Sequence, residues 1–258
     1  MHKKEFKQKI LFTDLDGTLV FDGVKKRYTN KRDVEAIRKF QEAGHLIGTC
    51  TGRGLGTANN GCEDVKFDFY IVNSGAGIYN KDKKELYYQG IDKTLVKDIM
   101  DCIGHHAYIF VYKYNSYFMN FEYNDEFPIV QSIDNFSDNV FDSFSVVAHN
   151  NTEKIESIYK IVKDQFGDRI SMHQNKDSID FVAKGHSKGQ GIIDFINIYD
   201  KDIKDINVIG DSFNDIEMFK VCKQSYTFHS SHKDVKKYTY HLVNNLAECI
   251  DQIMEETK

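Results

Sequence analysis

Two aspartates two residues apart, Asp14 and Asp16, end the short apolar run Ile10-Leu11-Phe12 and are followed by Gly17-Thr18. In a strand, residues i and i+2 point the same way, so two acids at the exit of a buried strand are expected to converge on one point. Like charges held together need a counter-charge, and oxygen-only ligands suit Mg²⁺. Gly17 lets the chain turn out of the strand and leaves backbone N–H groups free to face an anion. Acids, a divalent cation and an anion cradle in one place point to chemistry on a phosphate.

Three further fragments fall at the carboxyl ends of expected strands, where a parallel sheet builds its site. They are Thr51-Gly52-Arg53, Ser187-Lys188-Gly189 and Gly210-Asp211-Ser212-Phe213-Asn214-Asp215. Each has a plainer reading on its own. Lys188 would be a surface lysine, and Asp211 and Asp215 would cap the next helix at its positive end. Arg53 would pair with a carboxylate or phosphate, or simply start a helix. Buried like charges at Asp14 and Asp16 have no such plain account.

The elements that must position these residues alternate. A strand runs from about Lys9 to Asp14, and a helix follows near Asn30 to Ala43. Val34, Ile37 and Phe40 line one face of that helix, and Gly44 stops it. Strands follow at His45 to Cys50, Phe69 to Asn73 and Ile206 to Gly210, the last leading into Asp211 and a helix with Ile216, Met218 and Phe219. Alternation of strand and helix implies an α/β fold with a parallel sheet and right-handed crossovers.

The middle of the chain has another texture. Asp92 to Ile103 and Thr152 to Phe166 read as amphipathic helices, and Tyr108 to Tyr123 as a hairpin centred on Asn115-Ser116. Strands fit Phe144 to Ala148, Arg169 to His173 and Ile179 to Val182. This α+β unit is expected as an insert, dividing the chain into residues 1–84, 85–184 and 185–258. Little sequence between Val20 and Asn30 is left for a local lid, so the insert must close the site. Its selective face is sought at Tyr112, Tyr114, Tyr117 and Phe118, which also alternate as a half-buried sheet would, and at Asp177 to Phe181.

Composition narrows the classes. The 258 residues are 41% hydrophobic and 28% charged, with a net charge of −5, ordinary for a globular protein and poor for a general nucleic-acid binder. The apolar stretch at the N-terminus is too short for a signal peptide or membrane span. Five cysteines without a CxxC pair favour reduced thiols, hence a cytoplasmic setting. Neither His105-His106 nor His229 with His232 completes a zinc site, and Cys50 reads as a buried thiol.

With these residues together, the chain resembles the haloacid dehalogenase-like superfamily, most closely its Cof-type, or type IIB, sugar-phosphate phosphatases. The family pattern of DxDGT, TGR, Lys-Gly and GDxxND matches Asp14-Leu15-Asp16-Gly17-Thr18, Thr51-Gly52-Arg53, Lys188-Gly189 and Gly210-Asp211-Ser212-Phe213-Asn214-Asp215. Asn73-Ser74-Gly75-Ala76 resembles its Asn-Gly-Ala loop, with Ser74 where Gly is usual. The resemblance implies a Rossmann-like core with an inserted C2-type cap. It implies a Mg²⁺-dependent phosphomonoester hydrolase in which Asp14 attacks phosphorus and Asp16 serves as acid, then base. Mg²⁺ would be held by the Asp14 carboxylate, the Asp16 carbonyl and Asp211, supported by Asn214 and Asp215. Gly17, Thr51, Gly52 and Lys188 would bind phosphate, and Arg53, Asn73 and Asp180 would meet the substrate. Asp at position 16 points away from the superfamily's ATPases and dehalogenases.

The expected partner is a small phosphorylated metabolite, a sugar phosphate above all, with no nucleic acid or membrane, and the expected state is a monomer or weak homodimer. A sugar phosphomutase and a phosphometabolite-binding regulator are the rival readings. Relatives usually carry Met-x-Asn-Ala after the GDxxND helix, where this chain has Tyr226-Thr227-Phe228-His229-Ser230-Ser231. That departure bears on substrate class more than on reaction type.

Overall fold

Alternating burial organises the molecule. In strand Ile10–Thr13, Leu11 packs into one apolar cluster, while Ile10 and Phe12 pack into another on the opposite face. A strand buried on both faces belongs at the centre of a sheet covered by helices. The computed structural model, which describes residues 6–24, 26–104, 108–113, 116–119, 132–148, 151–174 and 178–257, shows that arrangement.

An eight-stranded sheet runs in the order His241–Val243, Ser225–Phe228, Ile206–Ile209, Ile10–Thr13, Leu46–Cys50, Phe69–Val72, Gly77–Asn80, Glu85–Tyr88. Pairing is parallel through Phe69–Val72 and antiparallel in the last two pairs. Helices Lys31–Glu42 and Leu246–Thr257 pack together on one side, and Lys188–Tyr199 packs on Ile216–Val221 on the other. Phe12 is wholly buried and sits 4.8 Å from Phe195 in an edge-to-face contact. Burying such a side chain contributes about 1.5–3 kcal/mol.

A second, antiparallel sheet follows the order Ile170–Gln174, Ser178–Ala183, Ser143–Val147, Tyr108–Lys113, Ser116–Met119. One face is apolar. Phe144 and Phe181 pair across strands and stack at 4.3 Å, and with Val146 and Ile179 they pack in one cluster with residues of helices Lys93–Ile103 and Thr152–Phe166. The other face carries Ser143, Ser145, His173 and Asp180, in a register that sets Ser145 and His173 on either side of Asp180. Period-2 alternation has put structure on one face and polar groups on the other.

The expected insert boundary at residue 85 needs correction, because Glu85–Tyr88 is the edge strand of the large sheet and the second sheet begins later. The charged segment 81–84, which resembles a linker, is the turn of a hairpin: Asn80 Oδ1 accepts from the N–H groups of Asp82 and Lys84. The expected hairpin is present as Tyr108–Lys113 paired with Ser116–Met119. Its tip (Tyr114, Asn115), its extension to Tyr123, and His105, His106 and Asp177 lie outside the described residues, as do the side chains of Tyr117 and Phe118. No helix among the described residues is long and apolar enough to cross a membrane.

Candidate active site

Strand Ile10–Thr13 stops one residue before Asp14, whose N–H still donates to the Ile209 carbonyl at 2.9 Å. From Leu15 the chain turns: the N–H groups of Thr18, Leu19 and Val20 all donate to the Leu15 carbonyl. The two acids are therefore not successive same-face strand residues, and their carboxylates do not meet at one point. Asp14 is buried in the site, while the half-exposed Asp16 side chain lies against arginine. Gly17 also differs from expectation. Its N–H is taken by the Val20 carbonyl at 2.9 Å and is not offered to an anion. What Gly17 supplies is room. At φ +87°, a β-carbon there would stand 2.7 Å from Asp211 Oδ2, so only glycine lets that carboxylate approach.

The carboxylates that come together are Asp14, Asp211 and Asp215, with one oxygen from each all within 4.8 Å of one another. Lys188, the first residue of helix Lys188–Tyr199 after the Ser187 cap, is wholly buried among them. Its Nζ donates to Asp14 Oδ1 and to Asp215 Oδ1, both at 2.6 Å. Asn214 Oδ1 lies at 3.5 Å. Asp215 Oδ2 accepts from the N–H groups of Asp211 and Ser212, so this residue caps the turn and braces the site together. The Thr18 hydroxyl donates to Asp211 Oδ1 at 2.7 Å.

Three carboxylates against one ammonium leave excess negative charge in a buried place. Burial, then repulsion from Asp215 and Asp211, pushes the Asp14 carboxyl well up despite Lys188. Burial and Asp215 push Asp211 up to about 6. Burial alone would lower Lys188, but Asp14 and Asp215 outweigh it and push its ammonium up. A cluster of hard oxygen donors that holds protons so readily fits a divalent cation of the Mg²⁺ kind.

Asp16 has a different environment. Arg53 grips it with two parallel bonds, Nε to Oδ2 at 2.8 Å and Nη2 to Oδ1 at 2.6 Å, and Arg27 Nη1 lies 3.4 Å from Oδ1. Burial acts to raise the Asp16 carboxyl, but Arg53 and then Arg27 hold it below its ordinary value. Arg53 Nη1 donates to the carbonyls of Thr57 and Asn60. The Arg53 fork is thus committed to Asp16 and backbone: it pairs with a carboxylate, as one reading of the sequence expected, and is not turned to a substrate as the resemblance implies.

Thr51 and Gly52 follow strand Leu46–Cys50 directly. The Thr51 hydroxyl accepts from the Arg53 N–H at 3.1 Å. The Asn73 N–H donates to the Arg53 carbonyl and the Ser74 N–H to the Thr51 carbonyl, strapping the two loops together. From the second sheet, the Ser143 hydroxyl donates to Asn73 Oδ1 at 3.2 Å and the Ser145 hydroxyl to Asp180 Oδ1 at 2.6 Å. Burial pushes the Asp180 carboxyl up, against that bond and the neighbouring His173. Asp180 Oδ2 lies 3.3 Å from where a β-carbon on Gly52 would stand. The polar face of the second sheet therefore closes over the strand ends of the first.

The sequence pattern of the haloacid dehalogenase-like hydrolases matches residues 11–249. The chain belongs to that family. It is 23% identical over 245 residues to the 5-amino-6-(5-phospho-D-ribitylamino)uracil phosphatase YbjI of Escherichia coli, covering 86% of each chain. It is 23% identical over 284 residues to the phosphatase of the same name, YwtE, of Bacillus subtilis, covering 95% of this chain and 98% of the relative. Among solved structures, a haloacid dehalogenase subclass IIB sugar phosphatase superposes with a TM-score of 0.78 at 20% identity, over 96% of this chain and 98% of that one. The Cof-type resemblance and the Rossmann-like core with additional antiparallel sheet both hold for this hydrolase.

Several groups of the hydrolase's site had no signal in the one-dimensional chain. Arg27 was legible only as a loop residue, and Ser145 and His173 as alternating strand residues, while Thr18 stood in the DxDGT motif without any sign of its bond to Asp211. His173 Nε2–H donates to the His186 carbonyl at 2.9 Å, and burial pushes the imidazole down, against that bond and the neighbouring Asp180. The altered segment 226–231 touches the site at Gly210, whose N–H donates to the Tyr226 carbonyl at 3.3 Å. The Thr227 hydroxyl donates to the Gly210 carbonyl at 2.7 Å, directly before Asp211.

Proposed function

We propose that this hydrolase is a Mg²⁺-dependent phosphomonoesterase that cleaves a small phosphorylated metabolite, a sugar phosphate, through an aspartyl-phosphate on Asp14. The observation that carries the reading is the division of labour between two acids two residues apart. Asp14 is buried with Lys188, Asp211 and Asp215, while Asp16 is held outside that cluster by Arg53. A mere anion-binding protein needs neither arrangement. The names of the relatives and the likeness to a sugar phosphatase support the choice of substrate.

The Asp14 carboxylate, the Asp16 backbone carbonyl and Asp211 would hold Mg²⁺, which would neutralise charge on the phosphoryl oxygens and keep Asp14 ionised. Lys188 Nζ would bind a phosphoryl oxygen while orienting Asp14 for in-line attack. The Thr51 hydroxyl and the Gly52 N–H, which has no partner among the described residues, would take the others. Asn214 and Asp215 would hold Lys188 and the Asp211 backbone in place. An arriving phosphate dianion raises the proton affinity of Asp16, which lets a carboxyl held low by Arg53 take up the proton it gives to the leaving alcohol. Asp16, again an anion gripped by Arg53, would then activate the water that frees phosphate. The unit around the second sheet would act as the cap, with Asn73 and Asp180 nearest the substrate. A monomer or weak homodimer in the cytoplasm, without nucleic-acid or membrane partners, completes the proposal.

Release of inorganic phosphate from a panel of sugar phosphates and p-nitrophenyl phosphate tests it. Turnover should require Mg²⁺, vanish in EDTA and be lost in Asp14→Asn. A requirement for a bisphosphate activator would instead identify a phosphomutase. Folded, Mg²⁺-binding protein without turnover would identify a regulator.

A further inference from the structure

Among the described residues, two buried side-chain oxygens have no hydrogen-bond partner, Tyr226 Oη and Ser74 Oγ. The Tyr226 ring is packed inside the main core against His241 and faces no site. Ser74 is different. It is 1% exposed and sits on the loop strapped to Thr51, and its backbone is left-handed, φ 49° and ψ 41°. A side chain in that conformation is strained, and a buried hydroxyl without a partner adds a further cost. Glycine would avoid both.

We propose that Ser74 is a specificity residue: its hydroxyl, opposite the Asp180 carboxylate, binds a substrate hydroxyl close to the phosphate, so the enzyme selects hydroxylated alkyl phosphates over plain ones. This rests on the phosphomonoesterase reading above. Apart from its chain neighbours, the point where a β-carbon on Gly52 would stand has two heavy atoms within 4 Å, Asp180 Oδ2 at 3.3 Å and Ser74 Oγ at 3.6 Å. Both are fixed from behind. The Ser74 N–H donates to the Thr51 carbonyl at 3.0 Å, and Asp180 Oδ1 accepts from Ser145. A substrate hydroxyl lying beyond that point, at van der Waals distance from the Gly52 α-carbon, accepts from the Ser74 O–H and donates to the Asp180 carboxylate, satisfying the orphaned oxygen. That place lies beside Gly52, whose N–H would meet the phosphate, so the hydroxyl belongs on one of the first carbons beyond the ester oxygen.

The matched probes are sn-glycerol 3-phosphate and n-propyl phosphate, assayed by phosphate release with wild type, Ser74→Ala and Ser74→Gly. Wild type should prefer glycerol phosphate. In both variants the ratio of kcat/KM values should fall about 3- to 10-fold, the weight of one neutral hydrogen bond. Ser74→Gly should meanwhile raise Tm by about 2–4 °C, because it relieves the left-handed strain and removes the unpartnered oxygen. Discrimination lost while stability is gained is not the signature of a packing residue. An unchanged ratio in both variants, or equal loss on both esters, overturns the proposal and leaves the phosphomonoesterase reading standing. Failure of wild type to release phosphate from either ester and from the wider panel overturns both.

Discussion

Replacing Lys188 with Met keeps the length of the side chain and removes its charge. Nζ lies 2.6 Å from both Asp14 Oδ1 and Asp215 Oδ1. At an effective dielectric of about 20, each such pair attracts by about 6 kcal/mol, and desolvating the ammonium offsets several kcal/mol of the total. Removing one partner from a buried pair costs about 3–5 kcal/mol. At about 2–4 °C per kcal/mol for a chain of this size, Lys188→Met should melt about 6–20 °C below wild type near pH 7.5 without metal. The pH dependence has a definite sign. Asp211 already ionises at about 6 in the folded protein, above the ordinary carboxylate range, and loss of Lys188 moves the cluster further up. A carboxyl raised by folding costs stability as pH rises through its folded value, so the variant should recover near pH 5. Mg²⁺ should stabilise it more than wild type, because the cation replaces the missing charge. Calorimetric scans at the two pH values, with and without MgCl₂, measure all three. A variant within about 2 °C of wild type near pH 7.5, or one equally weakened at both pH values, would refute the reasoning.

In wild type, divalent-metal binding should weaken as pH falls through about 6, where Asp211 takes up its proton. Titration calorimetry in buffers of different ionisation enthalpy should show proton release on binding near pH 6 and less near pH 8. Arg53→Lys replaces the two-point grip on Asp16 with a single point. The Asp16 carboxyl should move up toward its ordinary value in a carbon-13 NMR titration, and kcat should fall about tenfold or more. Gly17→Ala places a β-carbon 2.7 Å from Asp211 Oδ2 at a φ of +87°. It should lose about 1–2 kcal/mol of stability from the left-handed backbone alone, seen in the melting scan, and bind Mg²⁺ more weakly.

The strand ends were legible because burial forces long apolar runs to stop where chemistry begins. Ile10 to Phe12 and Ile206 to Ile209 each run into acids, and that transition survives in one dimension. The helix Thr152–Phe166 was legible to the residue, since an apolar stripe and Gly167 bound it. The hairpin Gly77–Asn80 with Glu85–Tyr88 was not, because its charged turn, Lys81 to Lys84, has the composition of a linker and its outer strand is mostly exposed. The divergence of Asp14 and Asp16 was hidden for a related reason. Side-chain direction follows the i, i+2 rule only while the strand continues, and this one ends at Thr13. Ser145 beside Asp180, and Thr18 beside Asp211, are contacts across 35 and 193 residues of chain, which no local spacing encodes.

The second sheet turns Phe144, Val146, Ile179 and Phe181 toward its helices and leaves Ser145, His173 and Asp180 over the strand ends. Evolution can therefore rewrite what this enzyme accepts by editing every other position of three strands, while the intervening positions keep the fold intact. Such an edit changes the shape and polarity of the roof without a compensating change in the core beneath it. Divergence of substrate between distant relatives then needs no new architecture, only drift confined to one parity of the strands.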